Sequence, residues 1–82
     1  MKNNHPDIVL YTRSQCPLCD EAKAVLDLVA AELGIAYREI DIHTDDALLE
    51  KYQLMIPVVE INGRLAAFGQ VTFAQLIEYL PL

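Results

Sequence analysis

Cys16-Pro17-Leu18-Cys19 constrains this chain more than any other feature. They hold the only two cysteines in 82 residues, and the local signals around them start a helix. Residues 8 to 12, Ile-Val-Leu-Tyr-Thr, form an apolar, β-branched run that reads as a buried strand, with Thr12 beginning the turn. Arg13-Ser14-Gln15 is a polar loop. Cys16 then takes the N-cap place and Pro17 the first helical position, where its missing N–H costs nothing. From Pro17 to Leu33 the apolar residues Leu18, Ala22, Val25, Leu26, Val29, Ala30 and Leu33 recur at spacings of three and four. Asp20 and Glu21 fall in the first turn, where the helix dipole favours anions. Gly34 follows as the stop.

The rest of the chain divides as cleanly. Residues 35 to 42 read as a second strand, and Arg38, Glu39 and Asp41 among its apolar residues suit a sheet edge. Strand, helix and returning strand make a right-handed βαβ unit. Thr44 reads as the cap of a short helix, about Asp45 to Tyr52, with Leu48, Leu49 and Tyr52 on its apolar side. Asp45, Asp46 and Glu50 form its solvated face. Met55-Ile56-Pro57-Val58-Val59-Glu60-Ile61 is a further strand. Asn62-Gly63 is a strong hairpin signal, Arg64 to Phe68 returns, and Gly69 breaks the strand. Thr72-Phe73-Ala74-Gln75 has the form of a capping box. Phe73, Leu76, Ile77 and Leu80 give the last helix its buried face, and Pro81 ends it. The order is β-α-β-α-β-β-α. It predicts an α/β fold with a four-stranded mixed sheet flanked by helices, a single domain over residues 1–82.

Composition narrows the function. The net charge is −6, from 12 acids against 6 bases, and the bases are scattered. Phosphate neutralisation needs clustered cations, so a nucleic-acid surface is disfavoured, and an anionic membrane with it. The apolar run after the polar lead is too short for a signal segment or a membrane span. The expectation is a cytoplasmic protein, in which a lone CxxC reads as catalytic or metal-binding before structural.

Two cysteines one helical turn apart have Cα atoms at about 5.5 Å, inside the range a disulfide accepts. The pair can therefore open and close with little backbone motion. At the helix N-terminus Cys16 faces unpaired N–H groups and the positive end of the dipole. Both favour thiolate and bring its pKa below the ~8.5 of a free thiol. Arg13 adds positive charge nearby. Asp20 and Glu21 oppose it and are expected to point away. Cys19, inside the first turn, is expected to be more buried and less acidic. Cys16 thus attacks, and Cys19 resolves the mixed disulfide. Pro17 stiffens the turn, and Leu18 offers an apolar patch beside the sulfur.

Strand, Cys16-Pro17-Leu18-Cys19 and helix, followed by Ile56-Pro57-Val58 before a hairpin, resemble the glutaredoxin branch of the thioredoxin superfamily, above all the small bacterial glutaredoxin-like proteins. The resemblance spans about residues 8 to 80 and implies a minimal thioredoxin-like fold. Tyr11-Thr12-Arg13 is similar to the family's aromatic-threonine-lysine lead, with arginine for lysine. The resemblance implies that Pro57 is cis and lies against the dithiol, leaving the Ile56 backbone open to an extended substrate. It implies a thiol–disulfide oxidoreductase acting on disulfide-bearing protein substrates or small disulfides. Glutathione or a flavoprotein reductase would be its electron donor, with no tightly bound cofactor, and a monomer is expected. The chain departs from the family before the last helix. Phe68-Gly69-Gln70-Val71-Thr72 has one glycine and no aspartate where glutaredoxins hold the γ-glutamyl end of glutathione. Thr72 and that helix N-terminus are the remaining place for a carboxylate. The acid that thioredoxins bury in the strand before the dithiol is absent from Ile8 to Tyr11.

Other readings stay open at this point. The pair is also compatible with a structural disulfide, and two thiolates are half of a zinc site or part of a cluster shared across a dimer. His5 and His43 are not at ligand spacing and read as surface residues, so no metal is expected. Tyr11, Tyr37, Tyr52 and Tyr79 read as packing groups. A binding module that holds one partner protein beside Ile56-Pro57 without turnover is the alternative to an enzyme.

Overall fold

β1 (Ile8–Thr12) is buried along its whole length, and its alternation sets the two faces of the sheet. Ile8 and Leu10 point to one side, Val9 and Tyr11 to the other. The computed structural model describes residues 6–80, so the readings of His5 and Pro81 lie outside the described residues. The sheet order is β2-β1-β3-β4, with β2 (Arg38–Asp41), β3 (Val58–Ile61) and β4 (Arg64–Phe68). β1 pairs parallel with β2 and antiparallel with β3, and β3 pairs antiparallel with β4. The predicted edge place of the charged β2 is the observed one.

Helices cover both faces. α1 (Pro17–Leu33) and α3 (Phe73–Ile77) seal the Ile8/Leu10 side through Ala22, Leu26, Val29 and Leu76. α2 (Asp46–Tyr52) and the 3-10 turn Ile42–Thr44 seal the other through Ile42 and Tyr52. This is the predicted thioredoxin-like α/β arrangement, and α1 has the bounds its periodicity predicts. Tyr11 and Tyr52 are core residues, while Tyr37 and Tyr79 pack half-buried against the α1 side. No described helix is long and apolar enough to cross a membrane.

Four boundaries differ from the sequence expectation, each for a local reason. β2 begins at Arg38 rather than at residue 35, because the Gly34 and Ile35 amides turn back to the Ala30 carbonyl, at 2.9 and 3.2 Å, and close the end of α1. Asp45, not Thr44, caps α2: its carboxylate accepts from the amides of Ala47 and Leu48, while Thr44 belongs to the preceding 3-10 turn. β3 begins at Val58 rather than Met55. Pro57 has no amide to donate, and the Gly69 amide bonds the Met55 and Pro57 carbonyls at 3.1 and 2.8 Å. α3 stops at Ile77, where the amides of Tyr79 and Leu80 tighten to carbonyls three residues back. Phe73, expected inside, is exposed. The hairpin is as read, with Asn62 and Gly63 at φ 54° and 79°.

The stripe of α1 yields a paired prediction. Leu26 is 1% exposed in the main core, and Leu28, two residues on, is 51% exposed. Leu26→Ala is expected to cost about 2–5 kcal/mol and Leu28→Ala no more than about 0.5 kcal/mol, measured by urea unfolding of the two variants beside the parent.

Candidate functional site

β1 ends at Thr12, and the chain must turn within a few residues to begin α1. Gln15 makes that turn in the left-handed region, at φ 55°, a conformation costing a non-glycine residue on the order of 1 kcal/mol. Cys16 follows in extended geometry as the N-cap. Its sulfur accepts the Cys19 amide at 3.1 Å, occupying the place a serine hydroxyl takes at other helix starts. Cys16 and Cys19 are joined as a disulfide with Cα atoms 5.1 Å apart, close to the separation their spacing predicts. Both are buried.

A cleft of about 430 Å³ opens beside them, off the carboxyl ends of β1 and β2. Cys16 lines it and Cys19 does not, which matches their predicted order of access. The other lining residues are Thr12, Arg13, Ser14, Gln15, Asp20, Glu39 and Asp41. Arg13 is thus where the sequence reading places it. Asp20 is not: it was expected to point away from Cys16 and instead shares the cleft with it. Thr12 is buried and donates its hydroxyl to Glu39 at 3.3 Å, and Lys23 reaches the other Glu39 oxygen at 3.3 Å.

The remaining predicted residues do not line this cleft. Leu18 is 45% exposed beside Cys19. The Ile56–Pro57 peptide is cis. Since Tyr11 pairs with Val58, Pro57 lies at the sheet end where Thr12 hands the chain to the dithiol. Pro57 itself is fully buried, and Ile56 packs half-buried on the α2 side. Leu54, just before, is 95% exposed. Thr72 caps α3, with its amide donating to Gln75 at 2.9 Å and its hydroxyl accepting the Gln75 amide at 3.2 Å. Both of its polar groups are engaged within the chain.

Sequence reasoning missed a cluster one layer below. Glu60 lies inside β3 and accepts the hydroxyl of Tyr11 at 3.4 Å and, more closely, that of Tyr52. The two rings pack with centroids 5.1 Å apart. The signal was a lone acid in Val58-Val59-Glu60-Ile61, which only a partner on the same face can satisfy. Tyr11 leads into the dithiol loop, and the Tyr52 carbonyl accepts the Met55 amide at 2.8 Å at the start of the Pro57 loop. One carboxylate therefore ties together the roots of both segments.

The family pattern described as Glutaredoxin-like domain (DUF836) matches residues 7–81. The chain belongs to this glutaredoxin-like family. A probable thioredoxin of Archaeoglobus fulgidus is 32% identical over 63 residues, 73% of this chain and 69% of that one. The solution structure of a protein from Nitrosomonas europaea superposes with a TM-score of 0.83 at 20% identity, covering 99% of this chain and 98% of the other. Chloroplastic thioredoxin z superposes with a TM-score of 0.73 at 19% identity, covering 93% and 75%. At such identities the two structures speak for the fold, and that fold is thioredoxin-like. The resemblance read from the sequence is therefore the family to which this glutaredoxin-like domain belongs.

Burial, and then the Glu60 hydrogen bond and charge, push the Tyr52 hydroxyl well above the usual tyrosine range. Burial first and Glu60 next also raise Tyr11. Burial and the Asp27 hydrogen bond raise Tyr37 strongly. In each case the fold favours the neutral phenol. That stabilisation is complete below pH ~10, the unfolded value, and is lost as pH rises through the higher folded values. Alkaline titration by tyrosinate absorbance is expected to show delayed ionisation in the native protein and ordinary ionisation in urea. Unfolding free energy should fall above pH ~10, and less steeply in Tyr52→Phe.

Proposed function

We propose that this glutaredoxin-like domain is a thiol–disulfide oxidoreductase that reduces disulfides through Cys16 and Cys19. The observation that carries the reading is the closed Cys16–Cys19 bond at the start of α1, with Cys16 bordering an open cleft. In the reduced form the Cys19 amide and the helix N-terminus stabilise a thiolate at Cys16. That thiolate attacks one sulfur of the substrate disulfide. A Cys16–substrate bond forms, and the first substrate thiolate leaves and takes a proton. Cys19, one turn on, gives up its proton and attacks the Cys16 sulfur. The internal disulfide closes, the second substrate thiolate leaves, and two electrons have passed to the substrate. Glutathione or a flavoprotein reductase restores the dithiol. The same reading takes disulfide-bearing proteins as substrates and places a monomeric protein in the cytoplasm, with no bound metal or nucleic acid.

A second reading, a module that holds one protein partner without turnover, draws on the exposed Leu18 and Leu54 beside the dithiol and the Pro57 loop. The cysteine variants separate the two. Cys16→Ser should abolish reduction of hydroxyethyl disulfide, and Cys19→Ser should accumulate a mixed disulfide at Cys16, both read by alkylation and mass spectrometry. Undiminished reduction by Cys16→Ser would overturn the enzymatic reading. A reversible two-electron couple within about −180 to −270 mV, the span of working oxidoreductases, is expected on titration against a glutathione redox buffer.

A further inference from the structure

We infer that the cleft selects its disulfide by charge, taking substrates with positive groups flanking the scissile bond and disfavouring the anionic glutathione disulfide. The inference rests on the dithiol reading and names the substrate class of that same site. Four charged residues line the cleft: Asp20, Glu39 and Asp41 against Arg13. The three acids come from two elements, α1 and β2, and the loop between β1 and α1 supplies the arginine, so the acidic character belongs to the cleft and not to one exposed helix face. The neighbouring bases do not reverse it. Lys23 engages Glu39, and His43 lies 3.6 Å from Asp41, but neither lines the cleft. Arg13 makes no ion pair among the described residues.

Two further observations point the same way. The whole chain carries −6, so its long-range field attracts cations and repels anions before contact. The position left for a tripeptide carboxylate, Thr72, has its amide and hydroxyl closed into a capping box with Gln75. The positive end of α1 does not cancel this. Its effect falls off within the first turn and acts on the Cys16 sulfur itself, whereas the acids act on whatever flanks the incoming sulfur. Reactivity and selection are separated in space.

The test reacts the dithiothreitol-reduced, desalted protein with three small disulfides. Cystamine is a dication, hydroxyethyl disulfide is neutral and glutathione disulfide is an anion. Oxidation of Cys16 and Cys19 is read by quenching, alkylation and mass, and each rate is divided by that of the same disulfide with 2-mercaptoethanol, which removes intrinsic reactivity. The expected order is cystamine, then hydroxyethyl disulfide, then glutathione disulfide. The ratio between the extremes should be about tenfold, the low end of what a charge-lined cleft achieves, and should shrink in high salt. Asp20→Asn with Asp41→Asn should bring it towards one, and Arg13→Gln, an independent variant at an exposed position, should widen it. Asparagine keeps the Asp41 cap of the 3-10 turn, so loss of fold is not built into the double variant. A ratio near one or reversed, with hydroxyethyl disulfide still opened, overturns the inference and leaves the oxidoreductase reading standing. An order that survives unchanged in both variants also overturns it, assigning the preference to net charge alone. Failure to open any of the three disulfides overturns both readings.

Discussion

Everything at this site depends on how β1 hands the chain to α1. β1 is the inner strand that pairs with neighbours of both directions, and it is buried on both faces. Its end is therefore immobile, held by two ladders and two layers of side chains. The helix that follows cannot drift, because Ala22, Leu26 and Val29 lock it onto the sheet. Between these fixed bodies only Arg13, Ser14 and Gln15 intervene. A three-residue connection with one left-handed residue leaves the cap position little choice of place. Cys16 inherits that precision, and its sulfur does the work of a capping oxygen by accepting the Cys19 amide. The group that completes the helix is the sulfur proposed to react.

The other side of the sheet supplies the second fixed reference. Glu60, Tyr11 and Tyr52 form a polar knot inside an otherwise apolar cluster. Even half-burying a carboxylate there would be costly without donors, and two phenol hydroxyls serve. In exchange the knot joins β1, β3 and α2 at the points from which the dithiol loop and the Ile56–Pro57 loop depart. Among the described residues no buried side-chain nitrogen or oxygen lacks a partner, so the arrangement is closed. The chain lacks an acid in β1 before the dithiol, yet it holds a half-buried one in the neighbouring strand on the opposite face from α1.

What the sequence made legible was whatever rests on local pattern. The Pro17–Leu33 helix, the Asn62-Gly63 turn, the Thr72 capping box and the dithiol spacing are all encoded within a few residues, and each is found where it was read. The misses share a different cause. β2 and β3 start late because amides of Gly34, Ile35 and Gly69 are committed to carbonyls outside the ladder, and no periodicity reveals where an amide will go. Phe73 looked buried because its spacing from Leu76 and Ile77 fits a stripe, but the first residue of α3 stays exposed while Leu76 and Leu80 carry the buried contact. Asp20 was assigned an outward direction on electrostatic grounds alone. The acids that share its cleft, Glu39 and Asp41, come from an edge strand some twenty residues away, and only the β1–β2 register brings them to that cleft.

Asp20 shows why that last miss matters. An acid four residues past the cap is ordinary helix chemistry, since it answers the positive end of the dipole. Read that way it should weaken the same field that Cys16 uses, and the two demands conflict. The amide of Cys19 points at the sulfur and acts over one hydrogen bond, in a buried setting where screening is weak. Asp20, Glu39 and Asp41 face an open cleft, where water and salt attenuate each of them and only their sum persists over the length of a substrate. On the proposed reading, a short-range, directed donor sets the nucleophile, and a long-range, undirected charge sets the company it keeps. A fold of 82 residues can hold both because β1 and β2 run parallel and bring their carboxyl ends to the same rim as the helix N-terminus.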